Sequence, residues 1–372
     1  MVESGRTTFT ITEDPLKDLS GLQPLIASSQ LVGLGENSHG SGSTFRLKHR
    51  LIRYLVERMG FTIVAFEAPA PQADRINQYV QGGEGSLAQV VQDLGFKSWQ
   101  TQEVVELIQW MRAYNQSHKQ HIEFRGFDLQ SQELPLQNLA RFSHQQDTAL
   151  LARVQRVSDI LKSKPLTDSL RKVALGQVQE ISNYLSQQKQ AVPNDSALAQ
   201  LQHDADILGQ TIGLPLSHNR RHWMAQNIKW LVDNYPANTK FVIWAHNGHI
   251  SKQAASMGHY LHEQYGKGYV AIGFTFGVGT YSVYGTPGFF DAEVPYPGTY
   301  EYLLGQAKYP NYLLPLSDLK LPRDGQWLKQ TLGFRFLETE SACNQFRYLP
   351  LANQFDAIIY MQMSQRSTYI TP

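Results

Sequence analysis

Two glutamates and three histidines in this chain follow apolar segments, at positions that packing alone does not explain. They are Glu36, His39, Glu67, His246 and His249. The apolar segments have the length of buried strands, and the carboxyl ends of parallel strands in an open α/β sheet form the ligand crevice. If these strands are neighbours, the side chains converge on one place. This convergence predicts an enzyme.

The pair Glu36-x-x-His39 has the residue types that can activate water. A histidine with a pKa near neutral can take a proton from water, and a carboxylate three residues earlier can fix its tautomer and stabilise the imidazolium. The turn also opens a predicted helix, whose N-terminus favours negative charge. Alternatively, Glu36 caps that helix and His39 only fills the turn. Four glycines between positions 33 and 42 indicate a backbone shaped for close approach, which favours the chemical role.

Two further carboxylates end predicted strands. Glu67 closes an apolar, partly β-branched run, where a carboxylate is costly without a partner. It either pairs with an arginine such as Arg46 or faces His39 as a second catalytic carboxylate. Asp128 ends the strand predicted over 122–128, and it either orients a histidine or caps the helix that follows. The sequence leaves both choices open.

His246 and His249 lie directly after another predicted strand. Two imidazoles at this spacing can bind a metal, polarise a carbonyl and hold an oxyanion, or have a structural role. The His-Glu-x-x-His pattern of zinc proteases does not occur in the sequence. We therefore expect no metal and no cofactor, with a metal-dependent hydrolase that uses the same Glu/His cluster as the alternative.

Side chains around this cluster are expected to contact the substrate. The aromatic stretch 277–302 suits an apolar ligand wall, and it equally suits a packed loop. Two basic residues of the first predicted helix and the acid at the end of the third strand join this set. The predicted substrate-binding residues are Lys48, Arg46, Asp128, Tyr281, Tyr284 and Phe289.

The usual covalent nucleophiles and nucleotide-binding motifs are missing from the sequence. No Gly-x-Ser-x-Gly elbow occurs, which disfavours an ordinary serine hydrolase. The single cysteine, Cys343, has no obvious base beside it in sequence, so we predict a structural role. Gly33-x-Gly35 lacks the third glycine of a dinucleotide fingerprint, and no phosphate-binding Gly-Lys-Ser/Thr loop appears.

Composition restricts the class of partner. Lys and Arg number 33 against 32 Asp and Glu, a formal net charge of +1, so neither nucleic acid nor an anionic membrane is expected to bind. Hydrophobic residues make up 42% of the chain, which is enough for a large core. There is no secretory signal, and no run approaches the roughly 20 apolar residues of a membrane helix. The sequence thus predicts a soluble, cytoplasmic protein that acts on a small molecule.

The order of predicted elements indicates an α/β fold with a helical insertion. Residues 31–67 have the pattern of strand, turn, helix and strand, and the crossover length suits a parallel pair. Between 130 and 234, β-branched runs vanish, which predicts helices. Later strands are predicted over 240–245, 269–276, 312–316 and 356–363. The predicted units are a first α/β part at 1–129, a helical insertion lobe at 130–235 and a second α/β part at 236–372.

Four motifs, in this order, resemble those of the erythromycin esterase family. They are GENSHG at 35–40, GFTIVAFE at 60–67, GFD at 126–128 and WAHNGH at 244–249. Positions 224–227, 297–298 and 355–360 are also similar, so the resemblance spans most of the chain. The chain departs from many members where Arg220-Arg221 replaces an Arg-Asp pair and where Lys48 replaces an arginine.

The resemblance implies a hydrolase that opens an ester or macrolactone bond by attack of water, without a covalent intermediate. It implies that His39 is the general base, that Glu36 and Glu67 are the acidic site residues, and that His246 and His249 form the family's histidine pair. It also implies an α/β fold with a mainly parallel central sheet flanked by helices, and a helical lobe beside the active-site cleft. The substrate would be a small-molecule ester or lactone, such as a macrolide.

Three other interpretations remain open from the sequence. The first is the metal-dependent hydrolase. The second is a family member that acts on a non-macrolide ester or amide in a biosynthetic pathway. The third is a ligand-binding protein that kept the fold and lost turnover.

Overall fold

A mixed sheet lies at the centre of the fold. The computed structural model describes residues 7–8, 16–192, 195–283, 288–316, 323–337 and 345–370, so Cys343 lies outside the described residues. Within them, the strands are β1 (Thr7–Thr8), β2 (Leu31–Leu34), β3 (Ile63–Pro69), β4 (Glu123–Asp128), β5 (Phe241–Trp244), β6 (Tyr269–Tyr281), β7 (Phe290–Asp291), β8 (Asn311–Pro315), β9 (Thr331–Arg335), β10 (Phe346–Pro350) and β11 (Ala357–Ser364).

Most of the sheet is parallel, with the strand order β11-β6-β2-β5-β3-β4. β8 is antiparallel to β11, β1 pairs with β8, and β7 is antiparallel to β6. β2 and β5 are buried at every residue, which is why their sequences are continuous apolar runs. All the strands predicted from the sequence are present. β1, β7 and the separate antiparallel pair β9–β10 were not predicted.

Helices flank the sheet and fill the segment between β4 and β5. Within the described residues they are α1 (Gln23–Ile26), α2 (Gly42–Met59), α3 (Ala70–Val80), α4 (Leu87–Gln92), α5 (Gln102–Ser117), α6 (Glu133–Gln146), α7 (Thr148–Lys162), α8 (Asp168–Ala191), α9 (Ser196–Ser217), α10 (Arg220–Asp233), α11 (Asn247–Ile250), α12 (Met257–Tyr265) and α13 (Tyr300–Leu304). Helix α2 begins after Ser41, whose hydroxyl accepts a hydrogen bond from the Thr44 amide. Its C-cap is Gly60, in the left-handed conformation with φ of 74°.

Alternate side chains of the sheet build two cores, one on each face. Val242 and Trp244 of β5 pack with helices α1 to α5, whereas Phe241 and Ile243 pack with α10, α12 and α13. Each face of the parallel strands is therefore covered by helices. This arrangement confirms the predicted α/β fold with a mainly parallel central sheet flanked by helices.

The described residues between β4 and β5 contain helices and no strand. Helices α6 to α9, called the lobe from here on, share a core of their own that includes Leu139, Val157 and Ile181. Helix α10 instead packs Met224 and Ile228 against the sheet. By its packing α10 belongs with the sheet, although it falls inside the predicted unit 130–235. The division of the chain into three units stays a prediction.

Gly40 lies where the turn after β2 meets the loop after β6. A Cβ atom at Gly40 would lie 1.9 Å from the Ser282 carbonyl oxygen, which belongs to the backbone and cannot rotate away. We expect Gly40→Ala to lower the free energy of unfolding by about 2–3 kcal/mol, because the two backbone segments must separate. Urea denaturation measures the change.

The matched control is Gly176→Ala in α8. Nothing lies within 4 Å of the Cβ position of Gly176, so alanine is expected to stabilise the helix by about 1 kcal/mol. Equal unfolding free energies for Gly40→Ala and the parent protein would contradict the close approach.

Candidate active site

The carboxyl ends of β2, β5 and β3, which are neighbours in the sheet, bring the five predicted catalytic residues together. The ring centres of His39 and His246 are 5.2 Å apart. Glu67 Oε1 lies 3.1 Å from His249 Nε2, and Glu67 Oε2 accepts a hydrogen bond from the His246 amide at 2.9 Å. These four residues line one cleft, and Glu36 lies buried beneath them. The structure therefore contains the cluster that the strand ends predicted.

Glu36 is fully buried and shares its carboxylate between two donors. His39 Nδ1 donates to Oε1 at 2.7 Å, and Lys48 Nζ donates to Oε2 at 2.6 Å. Because a carboxylate can only accept, Nδ1 of His39 carries a proton, and in the neutral ring the lone pair is on Nε2. Among the described residues Nε2 has no hydrogen-bond partner, and 25% of the His39 side chain is exposed. The free nitrogen of His39 is thus available to the cleft.

The surroundings of His39 favour its protonated form. Burial pushes the pKa of His39 down, but the hydrogen bond to Glu36 and the charges of Glu67 and Glu36 outweigh burial and raise the pKa above 6.5. Trp99 holds the ring edge-on, with centres 5.3 Å apart, and the Trp99 indole N–H donates to the Glu67 carbonyl at 2.9 Å. The imidazole is therefore fixed in position, with its pKa raised by the neighbouring carboxylates.

Lys48 was predicted to bind substrate, and the structure places it out of reach of the cleft. Its side chain is fully buried below Glu36, and its ammonium lies 4.0 Å from the centre of the Trp244 ring. Burial lowers the pKa of Lys48 to about 8, against the opposing effect of Glu36. The helix carries this lysine inward, towards the sheet. Its partner is therefore Glu36 in the turn that follows β2.

Glu67 pairs with Arg220 and not with Arg46. Arg220 Nη2 lies 3.3 Å from Glu67 Oε1, whereas Arg46 pairs with Glu103 at 2.9 Å and does not line the cleft. Burial alone would raise the pKa of Glu67, but the neighbouring histidines, led by His249, and Arg220 hold it well below its usual range. Glu67 is thus an ionised second carboxylate within the histidine cluster.

Arg220 belongs to this site, and the sequence analysis did not single it out as a site residue. It begins α10, and its Nε and Nη2 donate to the two oxygens of buried Asp128 at 3.0 and 2.8 Å. Asp128 was expected to contact substrate, orient a histidine or cap a helix; it binds the arginine and accepts the Leu129 amide. Within the described residues Arg220 Nη1 has no partner, and the side chain is 26% exposed in the cleft. No strand-end or helical pattern marks such an arginine in a sequence.

His246 is held as a neutral imidazole. The Gly248 amide donates to its Nδ1 at 3.1 Å, so the ring proton is on Nε2. Burial, and then the nearby His39, lower the pKa of His246 well below its usual value, while a hydrogen bond with the Asn37 backbone acts in the opposite direction. Two adjacent histidines therefore have pKa values shifted apart.

The cleft above this cluster has a volume of about 730 Å³. Its floor is formed by the histidines and Glu67, and its walls include Trp99, Arg221, His222 and Tyr260. The cleft is large enough for a drug-sized molecule and is lined by a mixture of aromatic and polar side chains. The cleft therefore has room for a small molecule of this size.

The predicted aromatic wall is placed away from this cleft. Tyr281 is buried and packs against Phe290 at 5.8 Å between ring centres. Phe289 is exposed, with the Arg366 guanidinium 4.6 Å from its ring centre. Neither residue lines the cleft, because Tyr281 ends β6 in the core and Phe289 lies on the surface just before β7. Tyr284 lies outside the described residues.

One ring nitrogen of each histidine in the cluster is engaged by the protein. His39 Nδ1, His246 Nδ1 and His249 Nε2 each have a protein partner. Within the part of the chain that the structure describes, no group of three or more His, Cys, Asp or Glu side chains is arranged to hold a metal ion. No described helix has both the length and the apolar content needed to cross a membrane.

Comparison with known proteins agrees with this geometry. The family model described as Erythromycin esterase matches residues 56–364. YbfO of Bacillus subtilis (strain 168) is 23% identical, with 96% of this chain and 87% of YbfO covered. A succinoglycan biosynthesis protein of known structure is 25% identical, with a TM-score of 0.84 over 99% of this chain and 96% of that chain. A mutant of the erythromycin esterase EreC in its open conformation shares the fold, with 19% identity and a TM-score of 0.76 over 99% of this chain and 100% of EreC. The chain belongs to the erythromycin esterase family.

Proposed function

We propose that this hydrolase cleaves a carboxylic ester or macrolactone by attack of a water molecule, without a covalent enzyme intermediate. The observation that carries the proposal is the 2.7 Å contact between Glu36 and His39 Nδ1, which leaves His39 Nε2 open to the cleft. Membership of a hydrolase family supports the reaction class. His39 is the general base of the proposal, and Glu36 orients it.

In the first step, His39 Nε2 takes a proton from water while the water oxygen attacks the ester carbonyl carbon. Glu36 stabilises the imidazolium that forms. In the second step, the tetrahedral intermediate breaks its bond to the alcohol oxygen, and the imidazolium returns the proton to that oxygen. The products are an acid and an alcohol, which for a lactone are joined in one hydroxy acid, heavier than the substrate by one water.

We assign to Arg220 the role of stabilising the negative charge that develops on the carbonyl oxygen. Its Nη1 faces the cleft without a protein partner among the described residues, while Asp128 and Glu67 hold the rest of the guanidinium. A donor held in place before the reaction stabilises an oxyanion without further reorganisation. His246 and His249 complete the polar floor of the cleft.

The substrate is proposed to be a small-molecule ester or lactone. The fold shared with an erythromycin esterase supports a macrolide, and similarity to a protein named for succinoglycan biosynthesis supports a non-macrolide ester or amide in a biosynthetic pathway. Incubation with a panel of macrolides and simple esters, followed by mass spectrometry for a gain of one water, separates these two substrates. The best substrate of the panel then serves in the following experiments.

Replacement of His39 tests the general base. We expect His39→Ala to lower kcat/KM by about 10²- to 10⁴-fold, the usual contribution of a general base. The matched control is His259→Ala in α12, which lies outside the cleft lining and should keep full activity. Full activity of the His39→Ala enzyme would refute the assignment.

Chelation of the same preparations addresses the metal-dependent alternative. A metal-free sample is expected to keep its rate. A loss of activity that added divalent ions restore would assign the histidines to a metal ion and not to proton transfer.

The charges around His39 predict opposite effects for two variants. In the parent enzyme kcat/KM should rise with pH through the raised pKa of His39, above 6.5. Glu36→Gln removes a negative charge, so the rising limb should move to lower pH while the maximal rate falls. Lys48→Met removes a positive charge, so the limb should move to higher pH. Shifts of both variants in one direction would contradict the model.

Loss of Arg220 should affect both stability and rate. Arg220→Gln leaves two buried carboxylates without their shared cation, and since 26% of Arg220 is exposed, we expect a loss at the lower end of the usual range, about 3 kcal/mol, together with a lower kcat. The depressed pKa of Glu67 contributes stability above about pH 4.5 that disappears as pH falls, and the variant should lose only the part of this acid dependence that Arg220 supplies, because His249 is the main cause. Urea denaturation at about pH 7 and about pH 4 measures both effects.

The control for this variant is Arg153→Gln, which breaks an exposed pair with Glu180 and should change stability by less than about 0.5 kcal/mol. A similarly small change for Arg220→Gln would show that Glu67 and Asp128 do not depend on the arginine.

A further inference from the structure

Glu301 is a buried acidic residue to which the proposed reaction gives no role. It lies in the first turn of α13 and is 1% exposed. It does not line the cleft. Within the described residues its Oε2 has no hydrogen-bond partner, which makes the carboxyl group costly in the interior. Tyr300 and Leu304 already pack α13 into the core, so packing of this helix does not account for an acid at position 301.

The other oxygen of Glu301 joins two strands. Oε1 accepts a hydrogen bond from the Thr275 hydroxyl of β6 at 2.5 Å and another from the Arg335 amide of β9 at 2.9 Å. The fully buried guanidinium of Arg335 donates in turn to the carbonyls of Phe276 and Gly277 in β6, at 3.1 and 2.8 Å. The carboxyl group therefore fixes β9 relative to β6 at a position where both strands are inaccessible to water.

From Thr275 the contacts continue to the turn that follows β2. The side-chain amide of Asn37 donates to the Thr275 hydroxyl at 3.4 Å. Since a hydroxyl has one proton, the bond to Glu301 orients Thr275 so that it can accept this amide. The backbone of Asn37 interacts with the ring of His246. The first route from the carboxyl group thus ends at a histidine on the floor of the cleft.

From Arg335 a second route reaches the same ring. Phe336, the next residue along the chain, packs edge-to-face against His246, with ring centres 4.6 Å apart. The amide of Leu337 donates to the Asn37 carbonyl at 2.8 Å, so the end of β9 is also bonded to the turn after β2. The two routes from the carboxyl group therefore converge on the His246 ring.

These contacts define both the orientation and the tautomer of His246. Its Nδ1 accepts a hydrogen bond from the Gly248 amide, so its ring proton is on Nε2. A ring N–H in the interior requires an acceptor, and the backbone of Asn37 offers its carbonyl oxygen. Displacement of Asn37 or Phe336 would remove the contacts that distinguish this arrangement from one with the ring turned over.

We propose that Glu301 is a positioning residue that holds the His246 ring in one orientation and one tautomer, through Thr275 and through the end of β9. The inference rests on the proposed hydrolysis for its effect on rate, and on the contacts alone for its effect on the ring. Without the acceptor at position 301, the Thr275 hydroxyl and the Arg335 amide lose a buried partner. The two segments that contact His246 are then no longer tied to each other.

The state of the His246 ring can be measured without substrate. Multiple-bond ¹H–¹⁵N correlation spectra of ¹⁵N-histidine-labelled protein report the tautomer of each ring, and the signals missing from His246→Gln assign this histidine. We expect the Nε2–H tautomer alone in the parent protein and a mixture of tautomers in Thr275→Val, which removes the hydroxyl at nearly constant volume. Thr275→Ser keeps the hydroxyl and should restore the parent spectrum. The matched control is Ser143→Ala, which removes a buried hydroxyl bonded within the lobe and should leave the His246 signals unchanged.

Kinetics with the best substrate of the panel measure the consequence for catalysis. Glu301→Leu and Thr275→Val should each lower kcat about tenfold and change KM less than about twofold, because every side chain that lines the cleft is kept. Glu301→Gln retains an acceptor oxygen for both donors, so this variant and Thr275→Ser should recover most of the lost kcat.

The Thr275 variants decide the outcome even if Glu301→Leu does not fold. The Nε2–H tautomer alone in Thr275→Val, or equal losses of kcat in Thr275→Val and Ser143→Ala, would overturn the proposal. A mixture of tautomers in Thr275→Val that Thr275→Ser reverses, in a protein that hydrolyses no ester, would support the positioning role and refute the proposed reaction.

Discussion

The buried carboxylate of Glu36 is the interaction on which the site depends. A carboxylate removed from water is strongly unfavourable unless both oxygens are paired, and here Lys48 takes one oxygen and His39 the other. Lys48 is itself fully buried, so each charge requires the other to remain in the interior. The contact joins the body of α2 to the turn that precedes it. The orientation of His39 is therefore a consequence of how the helix packs on the sheet.

A second set of charges ties α10 to the strand ends. Arg220 at the start of this helix binds Asp128 of β4 and Glu67 of β3, so the helix is attached to two adjacent strands. The negative field of Glu67 and Glu36 raises the pKa of His39, whereas burial keeps His246 neutral. Neighbouring groups whose pKa values are pushed apart are a common basis for separate roles in acid and base chemistry. The two charge clusters create this difference in pKa between two rings whose centres are 5.2 Å apart.

The parts of the site that the sequence could predict are those with a local signal. Glu36 and His246 follow buried apolar strands, and Glu67 lies near the end of one. The apolar composition of β2, β3 and β5 is enough to predict these strands from the sequence. Arg220 reaches Glu67 across 153 positions of sequence, and no periodicity encodes such a contact. The inward direction of Lys48 depends likewise on which side of α2 meets the sheet.

The wrong and missing predictions also arise where the sequence carries no local signal. Tyr281 lies in an aromatic stretch that is compatible with a ligand wall and with a core, and only the length of β6 decides that it is buried. The short strands β1 and β7 contain two residues each, which is too little for any pattern to be visible. The helical segment 130–234 could be recognised by its composition, but the attachment of α10 to the sheet follows from packing of residues such as Met224.

The lobe has an interior that is separate from both cores of the sheet. A substitution inside that interior, at Leu139 or Ile181 for example, changes helices that carry none of the residues of the Glu/His cluster. Evolution can therefore reshape this part of the molecule and alter which compounds fit, while the chemistry at the strand ends stays intact. The lobe is therefore the part of the molecule in which to introduce substitutions that change ligand preference.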